Sequence, residues 1–433
     1  MALAWSLFAF GAVYPWAALP LLVLALAAAG LARARPSLTT LADAGAIAAL
    51  AVIALQLLPL PPSILDALSP AARAFRSDMV LAAPGTGWRP LSLDPARTRV
   101  SFMLFAAAFA LMLAVRENAS SSNRSLARWI TWMALAAAVI GTGGATLSPH
   151  GRIYGFWSPS EPGAAPFGPI INRNHYAAWA LTAASIGAGY FAANALRRRD
   201  EAPEARRLVA MLSDTRALWL LFAIAIVTVS VVLTASRGAF IGLVAAAGAA
   251  FALTWRRVNA RALMAAGVAC AVCVLAAVSL AQPDRLATRI GQPGDGGDLG
   301  MRRHIWRESA AVARQYPLAG VGAGAFPSAM TYYQTGARDI FFNHAHNQYL
   351  ELFVEGGMLL ALPLMLTAAG IATRFRRAMT ADGLSSFMWL RVGAAAGLAG
   401  LAVCAIWESP FRTPATLMLA AVAAGLATSK GRH

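Results

Sequence analysis

Charged residues are scarce in this chain. Asp, Glu, Lys and Arg together make up 13% of its 433 residues, about half of what soluble domains carry, which excludes a soluble globular enzyme. Carboxylates are scarcer still, at 19 Asp and Glu against 36 Lys and Arg. The short basic segments between apolar runs hold no carboxylate pair for a metal, and this disfavours a nucleotide-sugar transferase. Cysteine is nearly absent: Cys270, Cys273 and Cys404 all lie inside apolar runs. The Cys-x-x-Cys spacing of the first two therefore lacks the polar surroundings of a metal or redox site and reads as helix packing. The N-terminus lacks the basic segment of a signal peptide, and its apolar stretch continues past Pro15 and Pro20 to Leu31, so a retained hydrophobic hairpin is expected there.

What the chain does have is apolar surface, at 58% hydrophobic residues. Disorder is excluded, because so apolar a chain cannot stay solvated. Uncharged runs recur from end to end, near Leu3 to Val13, Ala17 to Leu31, Ala44 to Leu60, Val100 to Val115, Trp129 to Leu147, Tyr176 to Leu196, Ala217 to Ala235, Ala239 to Thr254, Ala262 to Ala281, Gln348 to Ile371, Phe387 to Trp407 and Ala415 to Ala427. The expected fold is an all-α polytopic membrane protein with about twelve transmembrane helices and a small helical cap outside the membrane.

The formal net charge of +17 would suggest a nucleic-acid partner in a soluble protein. Here no nucleic acid is expected, because most basic residues cluster between apolar runs, at Arg33 and Arg35, Arg197 to Arg199, Arg206 and Arg207, Arg256 and Arg257, and Arg374 to Arg377. That pattern is the positive-inside rule, and it sets both termini in the cytoplasm. Three sizeable segments are then left outside: Pro61 to Arg99, Ser148 to His175, and Gln282 to Asn347. The chain divides into N-terminal transmembrane helices over 1–147, central ones with an outer loop over 148–281, a periplasmic loop over 282–347, and C-terminal transmembrane helices over 348–433. The third segment opens on a turn-rich stretch, Gly291 to Asp298, and continues through Arg302 to Ala313 with helical character.

Candidate chemistry gathers at the outer edge. Arg237 splits one long apolar run at Ser236-Arg237-Gly238, where a charge is costly unless it faces a cavity or a partner. Its planar fork suits phosphate oxygens, with a snorkelling arginine at a helix end as the plain alternative. Arg302 and Arg303 precede Trp306 and could equally form a solvated helix face. Of 6 histidines, two stand in Asn343-His344-Ala345-His346-Asn347-Gln348-Tyr349-Leu350-Glu351. No cysteine lies nearby and the nearest carboxylates are Asp339 and Glu351, so no metal site is expected, although a structural histidine remains a competing reading. If Asn347 caps the following helix, the dipole keeps His346 neutral and able to act as a base. The stretch Asn172-Arg173-Asn174-His175 brings another arginine and histidine to the outer end of a span, or simply caps it. Gly320-Val321-Gly322-Ala323-Gly324-Ala325 has a dinucleotide-like spacing, yet no strand-helix-strand unit surrounds it.

Taken in order, Thr234-Ala235-Ser236-Arg237-Gly238-Ala239-Phe240, then Arg302 before Trp306, then Pro317 to Phe326, then His344 to Glu351, resemble the O-antigen ligase and polymerase superfamily. Gly155, Asn172 to His175 and the hairpin from Phe8 to Trp16 also look familiar, as do Gly356 and Gly357, while Leu360 departs from the pattern. The resemblance implies a bacterial inner-membrane glycosyltransferase of the GT-C type, without cofactor or metal, whose site faces the periplasm. It implies a glycan taken from an undecaprenyl-diphosphate carrier and passed, with inversion, to a hydroxyl of lipid A-core or another glycan. By that resemblance Arg237 and Arg302 hold the diphosphate and His346 is the base, with Arg303, His344, Arg173, His175 and Tyr349 completing the expected site. The alternatives are an O-antigen or exopolysaccharide polymerase, a protein O-oligosaccharyltransferase, and a non-enzymatic lipid or polysaccharide transporter. A transporter would place its polar groups nearer mid-membrane.

Overall fold

The computed structural model of the protein describes residues 1–79, 87–147, 152–159, 164–199, 214–256, 298–336, 341–381 and 385–429. Among them there is no strand, only isolated bridges such as Leu60 with Arg89 and Phe167 with Ile170. We label the α-helices α1 (Ala2–Phe8), α2 (Ala18–Leu31), α3 (Leu41–Leu57), α4 (Pro62–Leu68), α5 (Ala71–Met79), α6 (Pro95–Glu117), α7 (Ser120–Leu147), α8 (Arg173–Arg199), α9 (Thr215–Leu233), α10 (Arg237–Thr254), α11 (Asp298–Gln315), α12 (Phe326–Tyr333), α13 (Gln348–Ala381), α14 (Ser386–Cys404) and α15 (Pro414–Thr428).

By length and composition 6 of these, α6, α7, α9, α10, α13 and α14, can cross a membrane, and Pro15–Leu31, α3 and α15 are shorter apolar helices. The described residues thus bear out the helical membrane class without confirming twelve spans. The run Ala262 to Ala281, with Cys270 and Cys273, lies outside the described residues, as does the linker from Gly291 to Gly297. The first expected span is instead the short helix α1, whose 7 residues rise only about 10 Å. It stops because Phe10, Gly11 and Ala12 take φ of 58°, 73° and 57° in succession. Aromatic packing holds that turn: the Phe10 ring lies 5.0 Å from Trp157 and 5.7 Å from Tyr154, and the Tyr154 hydroxyl donates to the Phe8 carbonyl at 2.6 Å.

At the centre stands α8, with Tyr176, Trp179, Leu181 and Ile186 fully or almost fully buried. Small residues let its neighbour α14 approach to backbone contact, since a Cβ on Gly393 would overlap the Ser185 carbonyl oxygen and the Gly189 backbone. Without water to drive association, such close van der Waals packing is what joins helices in lipid.

The bundle has two polar ends. At one, Asp43 and Arg116 are both buried and paired, at 2.5 and 3.0 Å. Beside them Arg374 donates to the Thr428 carbonyl at 3.0 Å, and Arg391 to the carbonyls of Ala427 and Ser429. Arg374 therefore also caps the C-terminus of α15, where cations are favoured. At the other end α11, α12 and α5 pack into a small cap around Tyr316, Phe326, Met330, Phe342 and Val354. The helix expected through Arg302 to Ala313 is present as α11, and the cap also draws on the segment between α3 and α6.

Candidate functional site

Four helix ends converge beneath the cap, each made by a local sequence signal. Between α9 and α10 the chain turns at Ala235, with φ of 53°, and the Ser236 side chain caps α10 by accepting from the Ala239 amide at 3.4 Å. Asn172 caps α8, accepting from the Asn174 amide at 2.8 Å, and Asn347 caps α13, accepting from the Leu350 amide at 3.0 Å. The expected cap beside His346 is thus in place. The fourth end is the turn that follows α14, and it carries Glu408.

Glu408 is 2% exposed and gathers three partners. Its Oε1 accepts from Arg302 at 2.8 Å and from the Asn174 amide group at 2.9 Å, and its Oε2 lies 3.3 Å from His346 Nδ1. Arg302 also donates to the Trp407 carbonyl. Burial acts to raise the pKa of Glu408, but the His346 hydrogen bond and the Arg302 charge outweigh it and hold the carboxyl below its ordinary 4.5. An anionic acceptor at Nδ1 requires that nitrogen to carry the proton, which leaves the Nε2 lone pair as the basic one. Nε2 bonds no described residue, and the ring is 28% exposed. His346 itself is held at φ of 49°, an uncommon conformation for a residue with a Cβ.

A depressed carboxyl pKa has a definite consequence for stability. The contribution of ionised Glu408 is fully present above the unfolded carboxylate pKa and is lost as pH falls through the lower folded value. Thermal unfolding of the detergent-purified protein is expected to weaken with acidification below about pH 4.5, and Glu408→Gln is expected to flatten that limb. An unchanged acid limb in the variant removes Glu408 as its source.

A second ion cluster fixes the loops on either side. Arg412 pairs with Glu351 and Glu355 of α13, while Glu351 also accepts from the Ala345 amide and the Ser409 hydroxyl, both at 2.7 Å. These contacts tie the histidine loop, the turn after α14 and the first turns of α13 into one body. Burial acts to lower the Arg412 pKa, but the two carboxylates outweigh it and raise it.

The glycine-rich stretch forms part of this frame. At Gly357, with φ of 56°, α13 breaks. The Met358 and Leu359 amides then donate to the carbonyls of Pro317 and Leu318, and the Val354 and Glu355 carbonyls accept from Val321 and Gly322, at 2.9 to 3.0 Å. Four backbone groups freed by the break thus find new partners, as burial demands. Gly322, at φ of 110°, rests on Ser92 so closely that a Cβ would overlap the serine hydroxyl. Buried Gln56 of α3 closes the clasp, donating to the carbonyls of Ala319 and Glu355 and accepting from the Ala323 amide.

The other expected residues take varied positions. Arg237 is exposed at the first position of α10, and a Cβ added at the adjoining Gly238 would stand 3.6 Å from the Glu408 Cγ. Arg303 is exposed beside Arg302. His175 accepts from or donates to Thr413 at 2.9 Å through Nδ1, and its ring centroid stands 5.7 Å from that of His344. His344 lies 6.2 Å from His346 and nearly perpendicular to it. Burial, then the Arg412 charge, pushes the His344 pKa well below 6.5, so it is neutral at ordinary pH. Arg173 opens α8, its amide donating to the Ala165 carbonyl at 2.8 Å. Tyr349 uses its hydroxyl on the Ala402 carbonyl at 2.8 Å, on the flank against α14. Among the described residues no three His, Cys, Asp or Glu are grouped to hold a metal.

Sequence reasoning missed Glu408, Arg412, Glu351, Asn174 and Gln56 as parts of the site. One signal was available: Glu408 is the only carboxylate side chain after Asp382. Comparison with curated proteins gives no match. Residues 220–365 match the model of the O-antigen ligase family (Wzy_C), a stretch that runs from within α9 to within α13 and takes in Arg237, Arg302, the histidine loop and both carboxylates that hold Arg412. Over residues 220–365 this helical membrane protein is therefore similar to the O-antigen ligase family, which supports a place in the O-antigen ligase and polymerase superfamily.

Proposed function

We propose that the protein is a metal-independent, inverting glycosyltransferase of the bacterial inner membrane. It moves a glycan from undecaprenyl diphosphate to an acceptor hydroxyl, on lipid A-core or another glycan, at the periplasmic face. The observation that carries this reading is the Arg302–Glu408–His346 chain, built within and beside an O-antigen ligase domain. The described arginines Arg33, Arg35, Arg256, Arg374, Arg376 and Arg377 support the orientation, since they lie at the opposite end of the helices.

In this mechanism the acceptor oxygen attacks the anomeric carbon while its proton passes to His346 Nε2. The bond from that carbon to the phosphate oxygen breaks, and undecaprenyl diphosphate leaves with the electron pair. Glu408 steadies the imidazolium through Nδ1–H, a base of this kind being worth about 10² to 10⁴ in rate. Arg237, at the positive end of α10 beside the Glu408 turn, meets the negative charge that grows on the leaving group. Arg302 acts on the same turn through Glu408 and contributes its charge to the site. The proton then leaves His346 for the departing diphosphate or water.

Deletion of the gene separates the acceptor classes. Gel and mass-spectrometric analysis of lipid A-core, long polysaccharide and glycoprotein is expected to show uncapped core and polymer accumulating on its carrier. Single repeat units on the carrier would indicate a polymerase, and loss of glycan from proteins an oligosaccharyltransferase.

A further inference from the structure

Far from this site, at the opposite end of the bundle, α7, α8 and α9 enclose a cleft of about 560 Å³. Two arginines from different helices line it, Arg128 of α7 and Arg216 of α9. Both are exposed, and neither guanidinium pairs with or hydrogen-bonds any described residue. The cleft walls are apolar and aromatic: Trp132 lies one turn deeper than Arg128, Trp219 one turn deeper than Arg216, and Phe191 of α8 faces the same space. Three other arginines at this end are already engaged, Arg116 with Asp43, and Arg374 and Arg391 with carbonyls. The cleft pair differs in that two guanidinium groups without a partner among the described residues line one cavity.

We propose that this cleft is a binding site for an anionic glycerophospholipid, with the phosphodiester on Arg128 and Arg216 and the first part of an acyl chain along Trp132, Phe191 and Trp219. Guanidinium forks suit phosphate oxygens, and basic pockets between helices at the membrane surface take anionic head groups. A free phosphate has no use for aromatic walls that run down two membrane-spanning helices, whereas a lipid has apolar chains at that depth. The exposed Trp219, Trp129 and Trp255 lie at the same end and fit the aromatic belt found at a membrane interface. Asp214 also lines the cleft; it caps α9 by accepting from the Arg216 amide at 3.1 Å, and its charge leaves the two arginines in excess.

The test is lipid selection by the whole purified protein. Reconstituted in nanodiscs of equal phosphatidylglycerol and phosphatidylcholine and analysed by native mass spectrometry, it is expected to retain phosphatidylglycerol in about tenfold or greater excess. Arg128→Gln with Arg216→Gln is expected to bring that ratio within about twofold of parity, and Arg216→Gln alone to lower it, with monodisperse elution as the check on folding. Arg33→Gln with Arg35→Gln, at the same end but outside the cleft, is expected to leave it unchanged. Equal retention of the two lipids by the natural protein overturns the proposal, as does a preference that survives in the double variant. A stronger preference for phosphatidylethanolamine, whose ammonium Asp214 would attract, also overturns it. So does complete displacement by millimolar glycerol phosphate, which would mark a soluble phosphate ligand.

Discussion

Glutamine in place of Glu408 is expected to lower turnover by about 10² to 10⁴ while lipid-linked donor still binds. The side chain keeps its shape and can still accept from Arg302 and Asn174, which lie 2.8 and 2.9 Å from Oε1. What it loses is the anion facing His346 Nδ1. An amide –NH₂ at that place would donate to Nδ1, moving the imidazole proton to Nε2 and leaving no lone pair for the acceptor hydroxyl. Groups that act as a unit are not additive, so His346→Ala combined with Glu408→Gln is expected to turn over no more slowly than His346→Ala alone. Kinetics on the purified single and double variants, with donor affinity measured separately, test this. Near-natural turnover by Glu408→Gln, or effects that multiply in the double variant, would separate Glu408 from the chemistry.

Loss of Arg412 is expected to have the largest effect on stability. Glu351 and Glu355 are 1% and 8% exposed, and Arg412 is 17% exposed between them. Arg412→Leu leaves two buried carboxylates without their countercharge, which typically costs about 3–5 kcal/mol. The histidine loop is held through the same cluster by the Ala345 amide on Glu351, so the damage reaches the site as well. Little monodisperse protein is expected from Arg412→Leu, and Arg412→Leu with Glu355→Gln is expected to recover part of it. Detergent thermal unfolding decides: a variant as stable as the natural protein would show that the cluster contributes nothing to the frame.

The sequence was legible where one local signal decides the outcome. Apolar runs gave the helical membrane class, although α1 is too short for a span because three successive positive φ values fold the chain back on an aromatic loop. Ser236 and Asn347 marked helix starts through side-chain caps that depend only on near neighbours. Glu408 and Arg412 were not legible, because their meaning comes from packing. The turn that carries them reaches the histidine loop only when Gly393 and Gly189 allow α14 to sit against α8. Arg302 was singled out for phosphate, yet its guanidinium is already engaged by Glu408 and the Trp407 carbonyl. The use of the Gly320 to Gly324 stretch as a clasp on the break at Gly357 depends on the broken helix, which no local signal in the sequence marks.

If His346, set by Glu408, is the base of a metal-independent transfer, one reconstituted reaction shows it. Purified protein would be given undecaprenyl-diphosphate-linked glycan and acceptor in excess chelator, with product and released undecaprenyl diphosphate measured by mass spectrometry. Transfer is expected from the natural protein, none above background from His346→Ala, and a smaller loss from His344→Ala. Transfer by His346→Ala at the natural rate, or activity that chelator abolishes and added metal restores, would contradict it.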